Sequence, residues 1–428
     1  MTSESPALAS AVRKASIRLL PFLMLMYVMA FLDRANVGFA KQALQADTGI
    51  SNAAFAFGAG IFFIGYAIFE LPSNLILARV GAKAWLCRIM VSWGVVATAM
   101  MFASNEPTFY ILRFLLGAAE AGFFPGIILY LTYWFPERHR ARAIGVFYFA
   151  IPVSLTFGSV LSGYLLDLDG LASMAGWKWM FMVQGLLTVA VGIWAYFHLD
   201  NRPAEASWLT AAEKRDLQAR LDSEDQRKSA HGAATTLKSV FNKTVVLLTV
   251  VFFFVQIAVY GLIFSFPSII SQMMGEKIGL RVGLVAAVPW IIAMIATYYV
   301  TRWSDRSGVR KPLIVGMYLA LGISLAVSTA VTPVMGFIAL CVAAIGYFCA
   351  TPILWTHITL QLRGTAAAGG IALINSLGNL GGFVAPNLKT WAEASSGLPS
   401  LGMGVMGVTA LLSALVLLSV GRKRAVAA

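Results

Sequence analysis

The chain has 428 residues, of which 59% are hydrophobic and only 12% charged, with a mean hydropathy of +0.78 and a formal net charge of +13. Soluble domains run at about 45–50% apolar and about 25% charged residues, so an ordinary water-soluble enzyme or binding module is excluded and the chain reads as a polytopic membrane protein. The excess positive charge would suit a nucleic-acid partner only if it gathered on a soluble surface, so its placement decides its meaning.

A membrane-spanning helix needs roughly 20 consecutive apolar residues. Twelve such stretches occur, at about 17–40, 53–78, 84–103, 108–133, 140–166, 176–198, 244–271, 281–300, 312–331, 334–360, 365–388 and 400–420. They are too long and too continuous for barrel strands of about ten residues, which predicts an all-α membrane protein of twelve transmembrane helices. Arg13, Lys14 and Arg18 precede the first stretch as in a signal peptide, but its length and internal charges mark a retained helix. The loops opposite the N-terminal side carry Lys41, Lys178, Lys277, Arg281 and Lys389, while most of the 32 Lys and Arg lie on the N-terminal side. That asymmetry puts both termini in the cytoplasm. The basic balance is topology, and no nucleic-acid partner is expected. The odd cysteine count, Cys87, Cys341 and Cys349, has no metal-ligand spacing; these read as residues of the apolar interior, and no metal or cofactor is expected.

In chain order, the first span carries FLDRAN at 31–36, with Asp33 beside Arg34 deep in an apolar run. The second holds Tyr66 and Glu70, and the fourth reads RFLLGAAE, with Arg113 and Glu120 seven residues apart. A charge at the bilayer centre costs about 2.5–3.5 kcal/mol, so such residues normally face a partner or an aqueous cavity. Seven residues are nearly two helical turns, which puts Arg113 and Glu120 on one stripe about 10 Å apart. Adjacent Asp33 and Arg34 diverge by about 100° and do not pair well with each other. A cross-helix arrangement with Arg113 and Glu120 is expected, the alternative being a structural salt-bridge network that locks the N-terminal spans. When all four are ionised their charges cancel; a bound carboxylate adds one negative charge, and protonating one acid restores neutrality and frees an arginine for bidentate binding. Glu70, one turn beyond Tyr66 and close to Pro72, reads as a gating or structural residue.

Residues 199–243 break the hydrophobic pattern and divide the chain into six plus six spans: 1–198, a cytoplasmic linker of 199–243, and 244–428. Thr210 and Glu213 there have capping-box spacing, which predicts a polar helix to about Arg227, followed by a flexible SAHGAATT run. The later spans offer neutral polar groups instead of charges. Gln256 and Tyr260 lie four apart, as do Asn375 and Asn379, so each pair shares a helix face; Trp355 and Thr356 add further candidates. His357 sits near a cytoplasmic exit. Gly122 with Gly126, and Gly378 with Gly382, are small-residue faces suited to close helix contact. No H-E-x-x-H, G-x-S-x-G or phosphate-loop motif occurs, so enzymatic chemistry is not expected.

Two loops are related. TRWSDRSGVRKP at 301–312 carries Asp305, Arg306, Gly308, Arg310 and Lys311 at the spacing G-x-x-x-D-R-x-G-x-R-[KR], with Thr301 for the first glycine; NLILARVGAKAW at 74–85 keeps Arg79, Gly81 and Lys83 but has Ala78 at the aspartate position. Such loops in equivalent places of two six-helix halves resemble the major facilitator superfamily. LDRANVGFA, RFLLGAAEAGFFPGIILYLTYWFP and HLDNRPAEASWLTAAEK further resemble its anion:cation symporter branch, in particular permeases for aldonic acids such as L-rhamnonate, with tartrate and 4-hydroxyphenylacetate permeases close. The resemblance implies two six-helix halves around a midplane site and no enzyme activity. It implies Asp33 and Glu120 as proton-coupling acids, Arg34 and Arg113 as substrate-carboxylate anchors, Tyr66, Gln256, Trp355 and Asn375 as further substrate contacts, to which the shared face with Gln256 adds Tyr260, and Arg79, Gly81, Asp305, Arg306, Gly308 and Arg310 as gating-loop residues. The function so implied is proton-coupled import of a small hydroxylated organic anion by a monomer in the bacterial inner membrane. Import of tartrate or an aromatic acid, or a non-transporting sensor of the same fold, are the alternatives.

Overall fold

A computed structural model describes residues 5–230, 243–362 and 366–420. Helix α1, Pro6–Thr48, begins where the Ser5 hydroxyl accepts the Leu8 amide and Pro6 occupies the first turn; it ends at Gly49, whose φ of 72° needs no side chain. There follow α2 Asn52–Val80, α3 Ala82–Ala99, α4 Glu106–Glu120, α5 Phe123–Trp134, α6 Glu137–Tyr148, α7 Ala150–Leu166 and α8 Gly176–His198. After the linker helix α9, Ala211–Ala230, come α10 Lys243–Met274, α11 Leu280–Ser307, α12 Lys311–Ser328, α13 Pro333–Gln361, α14 Ala366–Asn379, α15 Gly381–Ser396 and α16 Pro399–Ser419.

Among the described residues, eleven helical runs are long and apolar enough to cross a membrane, α4–α5 and α6–α7 each counting as one run. The span expected at 365–388 is made of α14 and α15, joined through Leu380 in helical conformation. Rows of large apolar side chains such as Leu71, Phe197, Val334 and Leu418 are exposed on the outside, as a bilayer-facing surface requires. The fourth span is not one continuous helix. Pro125 would drive its ring into the carbonyl of Ala121, so α4 stops at Glu120 and Gly122 turns the chain at φ 85°. Glu120 therefore sits at the last turn of a helix broken inside the membrane.

Each half holds itself together: α2 lies on α4, α3 on α8 and α1 on α7 in the first, and α12 on α13 and α16, with α10 on α14 and α16, in the second. The halves meet through α7 and α11, α2 and α15, and α1 and α10. Close approach there depends on missing side chains. A Cβ on Gly38 would meet the Phe264 carbonyl, one on Gly60 the Phe383 carbonyl, and one on Gly283 the Ser159 carbonyl. These crossings lie towards the membrane side opposite the linker, so that side is closed. There the Asp167 carboxylate at the end of α7 accepts the Leu280 amide, 2.9 Å away, at the start of α11.

The linker docks on the first half. Thr210 and Glu213 form the reciprocal capping box, with the Thr210 amide 2.8 Å from Glu213 Oε2 and the Glu213 amide 3.3 Å from Thr210 Oγ1. Glu213 also takes bonds from Lys14 and Ser10 of α1. The run 229–236 expected to be a flexible connector falls largely outside the described residues.

Candidate functional site

A cavity lies between the halves, lined on one side by α1, α2, α5 and α6–α7 and on the other by α10, α13 and α14. Among its lining residues Arg34 is the one charged side chain. It is only 7% exposed. Its Nε donates to Glu120 Oε1 at 2.8 Å, its Nη2 donates to the same oxygen, and its Nη1 donates to the Tyr260 hydroxyl at 3.3 Å. The guanidinium also lies 5.1 Å from the Tyr66 ring centroid and 5.2 Å from that of Phe31, contacts that favour a cation over aromatic faces. Of the five N–H donors of an arginine, two remain without a protein acceptor, and the side chain faces the cavity. An oxyanion there would complete the donor set.

The other three ionisable groups sit behind the wall. Glu120 is fully buried, and its Oε2 has no hydrogen-bond partner among the described residues. Asp33 points away from Arg34 into the first half, where its Oδ2 accepts from Trp93 Nε1 at 2.7 Å and Thr188 Oγ1 at 3.1 Å. Arg113 donates to the backbone carbonyls of Gly58 (3.3 Å) and Ala59 (3.0 Å) on α2, and its Nη1 has no acceptor among the described residues. A Cβ on Gly117 would collide with the Phe62 carbonyl and one on Gly65 with that of Phe114. This glycine-enabled approach of α2 and α4 is what brings Arg113 within reach of α2's carbonyls. Both guanidiniums share the Phe62 ring, at 5.5 Å from Arg34 and 5.1 Å from Arg113.

The expected cross-helix set is therefore only partly assembled: Arg34 meets Glu120, whereas Asp33 and Arg113 each take partners elsewhere. The reason is direction. The roughly 100° between neighbours on α1 turns Asp33 towards α3 and α8 once Arg34 faces the cavity. Tyr66, Gln256, Tyr260, Trp355 and Asn375 all line the cavity beside Arg34; Asp33, Arg113 and Glu120 do not.

On the second half the polar groups form a chain. Tyr347 donates from its hydroxyl to Gln256 Oε1 at 3.1 Å, Gln256 Nε2 to Asn379 Oδ1 at 2.9 Å, and Asn379 Nδ2 to Asn375 Oδ1 at 3.3 Å. Asn375 Nδ2 then donates to Glu70 Oε1 at 3.2 Å, and the Ser376 hydroxyl donates to Glu70 Oε2. Tyr27, Tyr148, Tyr347 and Thr351 also line the cavity without having been singled out from the sequence. Helical spacing held the signal for three of them: Tyr27 is seven residues before Arg34, and Tyr347, Thr351 and Trp355 recur every four.

The gating-loop candidates lie at helix ends away from the cavity. Arg79, Asp305 and Arg306 are exposed, Gly81 has φ 99° and Gly308 φ 69°, and Arg310 precedes α12. The small-residue faces divide. Gly378 and Gly382 admit the rings of Phe252 and Phe63, while Gly122 serves the helix break.

Comparison with known proteins adds a third line of support. The profile described as Major Facilitator Superfamily matches residues 23–386. The inner membrane transport protein RhmT of Escherichia coli (strain K12) is 42% identical over 98% of this chain and 97% of its own. A protein provisionally named a tartrate transporter in Agrobacterium vitis is also 42% identical, over 97% of this chain and 92% of its own. Among solved structures, the inward open xylose transporter XylE from E. coli superposes with a TM-score of 0.76 at 15% identity, covering 95% of this chain and 96% of that one.

Proposed function

The chain belongs to the Major Facilitator Superfamily, and from that premise we propose that it is a proton-coupled symporter that imports a small hydroxylated monocarboxylate, an aldonate such as L-rhamnonate, by alternating access. One observation carries this reading: a single cation, Arg34, faces a cavity whose remaining polar groups are neutral amides and hydroxyls. A carboxylate matches the free end of the guanidinium fork, and sugar hydroxyls match Gln256, Asn375, Asn379, Thr351 and the tyrosines. A dicarboxylate would call for a second cation, and among the described lining residues there is none.

Coupling follows from charge. With Glu120 ionised, Arg34 is neutralised inside its own half; an arriving carboxylate competes for the same guanidinium, and a proton on Glu120 removes the competitor. Asp33 is the second acid of the same half, one residue from Arg34 and bonded across α3 and α8, and it is the reserve site for the coupled proton. Arg113 stands behind Phe62 as a second positive charge. Both termini on the cytoplasmic side and the linker as a tether between 1–198 and 244–428 complete the proposal. The closed side opposite the linker would then be the periplasmic one.

Proteoliposomes with an imposed pH gradient test it. L-rhamnonate or a related acid should accumulate when the outside is acidic, make a weakly buffered outside medium transiently more alkaline, and collapse to equilibration with a protonophore. Accumulation indifferent to both pH and protonophore would remove the coupling. Binding without counterflow would point instead to a sensor of the same fold.

A further inference from the structure

Glu70 belongs to the first half, yet its bonds run to the second. It is 5% exposed, on α2, with Asn375 Nδ2 on one oxygen and the Ser376 hydroxyl on the other. We propose that Glu70 is a specificity-determining residue, whose carboxylate fixes the direction of the hydrogen-bonded amide chain lining the second half and thereby which positions of that wall donate and which accept. The inference rests on the reading of the cavity as a site for hydroxylated acids.

A carboxylate accepts and does not donate. Asn375 must therefore turn its NH2 to Glu70, which commits its carbonyl oxygen to Asn379. Asn379 in turn presents its oxygen to Gln256, and Gln256 presents its oxygen to the Tyr347 hydroxyl. Each amide is locked by the one before it. Reversing one reverses all, because a single flipped amide sets oxygen against oxygen at one link and N–H against N–H at the next. With a donor at position 70 the reverse chain can form, since the Tyr347 hydroxyl at its far end accepts as well as donates. The three amides line the cavity, so their direction is the donor–acceptor pattern offered to substrate hydroxyls. Ser376 touches Glu70 without belonging to the chain, which makes it the control.

The test uses purified full-length protein and the dissociation constants of L-rhamnonate and D-gluconate with their monodeoxy and deoxyfluoro analogues. A fluorine keeps an acceptor and loses the donor, so the deoxyfluoro-to-deoxy ratio reads the direction of each wall contact. Glu70→Gln supplies a group that donates or accepts and should move that ratio at one or more hydroxyl positions by about fivefold, the worth of one neutral hydrogen bond. Glu70→Asp and Ser376→Ala should leave the ratios within about twofold whatever they do to absolute affinity. The proposal is overturned if Glu70→Gln scales all ligands by a common factor, or if Ser376→Ala moves the ratios equally. Should Glu70→Gln not yield folded protein, Asn379→Leu cuts the chain midway and should move the ratios at the Gln256 end; unchanged ratios there also overturn it. Wild-type protein that binds none of the acids would defeat the reading of the cavity itself, and this inference with it.

Discussion

Glu120 gives one oxygen to Arg34 and leaves the other without a partner: Oε1 accepts from both Nε and Nη2, while Oε2 is buried and unbonded among the described residues. A buried acceptor left empty costs about 1–3 kcal/mol, and a proton on Oε2 would turn it into a donor free to seek one of its own. Glu120→Gln mimics that state. It should fold with stability close to wild type, exchange substrate across proteoliposomes, and fail to concentrate it. If the variant still accumulates substrate against a gradient, the proposed coupling role passes from Glu120 to Asp33. Arg34→Ala does the opposite, leaving a buried carboxylate unpaired, and should lower stability by about 3–5 kcal/mol as well as abolish binding.

Arg113 offers a contrast that separates anchoring substrate from anchoring helices. Its two bonds go to main-chain carbonyls of α2, and hydrogen bonds from a charged donor are worth about 1.5–3 kcal/mol each. Lysine brings a point charge that does not reproduce the fork. Arg113→Lys should therefore depress thermal stability while weakening substrate affinity far less than Arg34→Lys. Equal losses of affinity in the two variants would mean that Arg113 reaches the substrate in another conformation of the cycle.

The side away from the linker is held by a bond that crosses the halves. Asp167 on α7 caps the Leu280 amide of α11, and loss of such a cap costs about 1 kcal/mol. Asp167→Ala should shift the population towards opening on that side by about fivefold, whereas Asp167→Asn, which still caps, should stay near wild type. The measurement is the labelling rate of Ile263→Cys by an impermeant maleimide added from that side, in a chain whose Cys87, Cys341 and Cys349 are serine. Ile263 lines the cavity, so labelling reports its opening. An unchanged rate in Asp167→Ala would show that the glycine crossings alone keep the side closed.

What the sequence reveals here depends on whether the information is local. The spans are legible because hydropathy is additive over about 20 residues, and the Thr210–Glu213 capping box because its partners lie three apart. The break after Glu120 was also spelled out, in AGFFPG, yet the unbroken apolar run hid it. Partner choice is another matter. Adjacency of Asp33 and Arg34 says that the two diverge, not that one meets Glu120 and the other Trp93. Arg113 is satisfied by carbonyls, which carry no residue signature. Glu70 finds Asn375 and Ser376 more than 300 positions away, so nothing near it in the chain ties it to the amides that line the cavity.

The linker helix supplies a pH dependence whose sign is fixed. Glu213 accepts from Lys14 Nζ at 2.9 Å, Ser10 Oγ at 2.6 Å and the Thr210 amide at 2.8 Å. The Lys14 bond first, then those of Ser10 and Thr210, hold its carboxyl at about 2, below the ordinary 4.5. The docked helix thus binds fewer protons than a released one. Its contribution to docking is complete above pH 4.5, declines between 4.5 and about 2, and is gone below. Attachment of α9 to α1 should be insensitive to pH from neutrality down to about 5 and loosen as acidification passes through that lower window. Trp208 reports it directly, since it stacks on Trp134 at 5.3 Å and lies under Arg18 at 5.5 Å. Its fluorescence should change over that window in wild type and lose the dependence in Glu213→Gln; a transition that survives in the variant would assign the switch to another group.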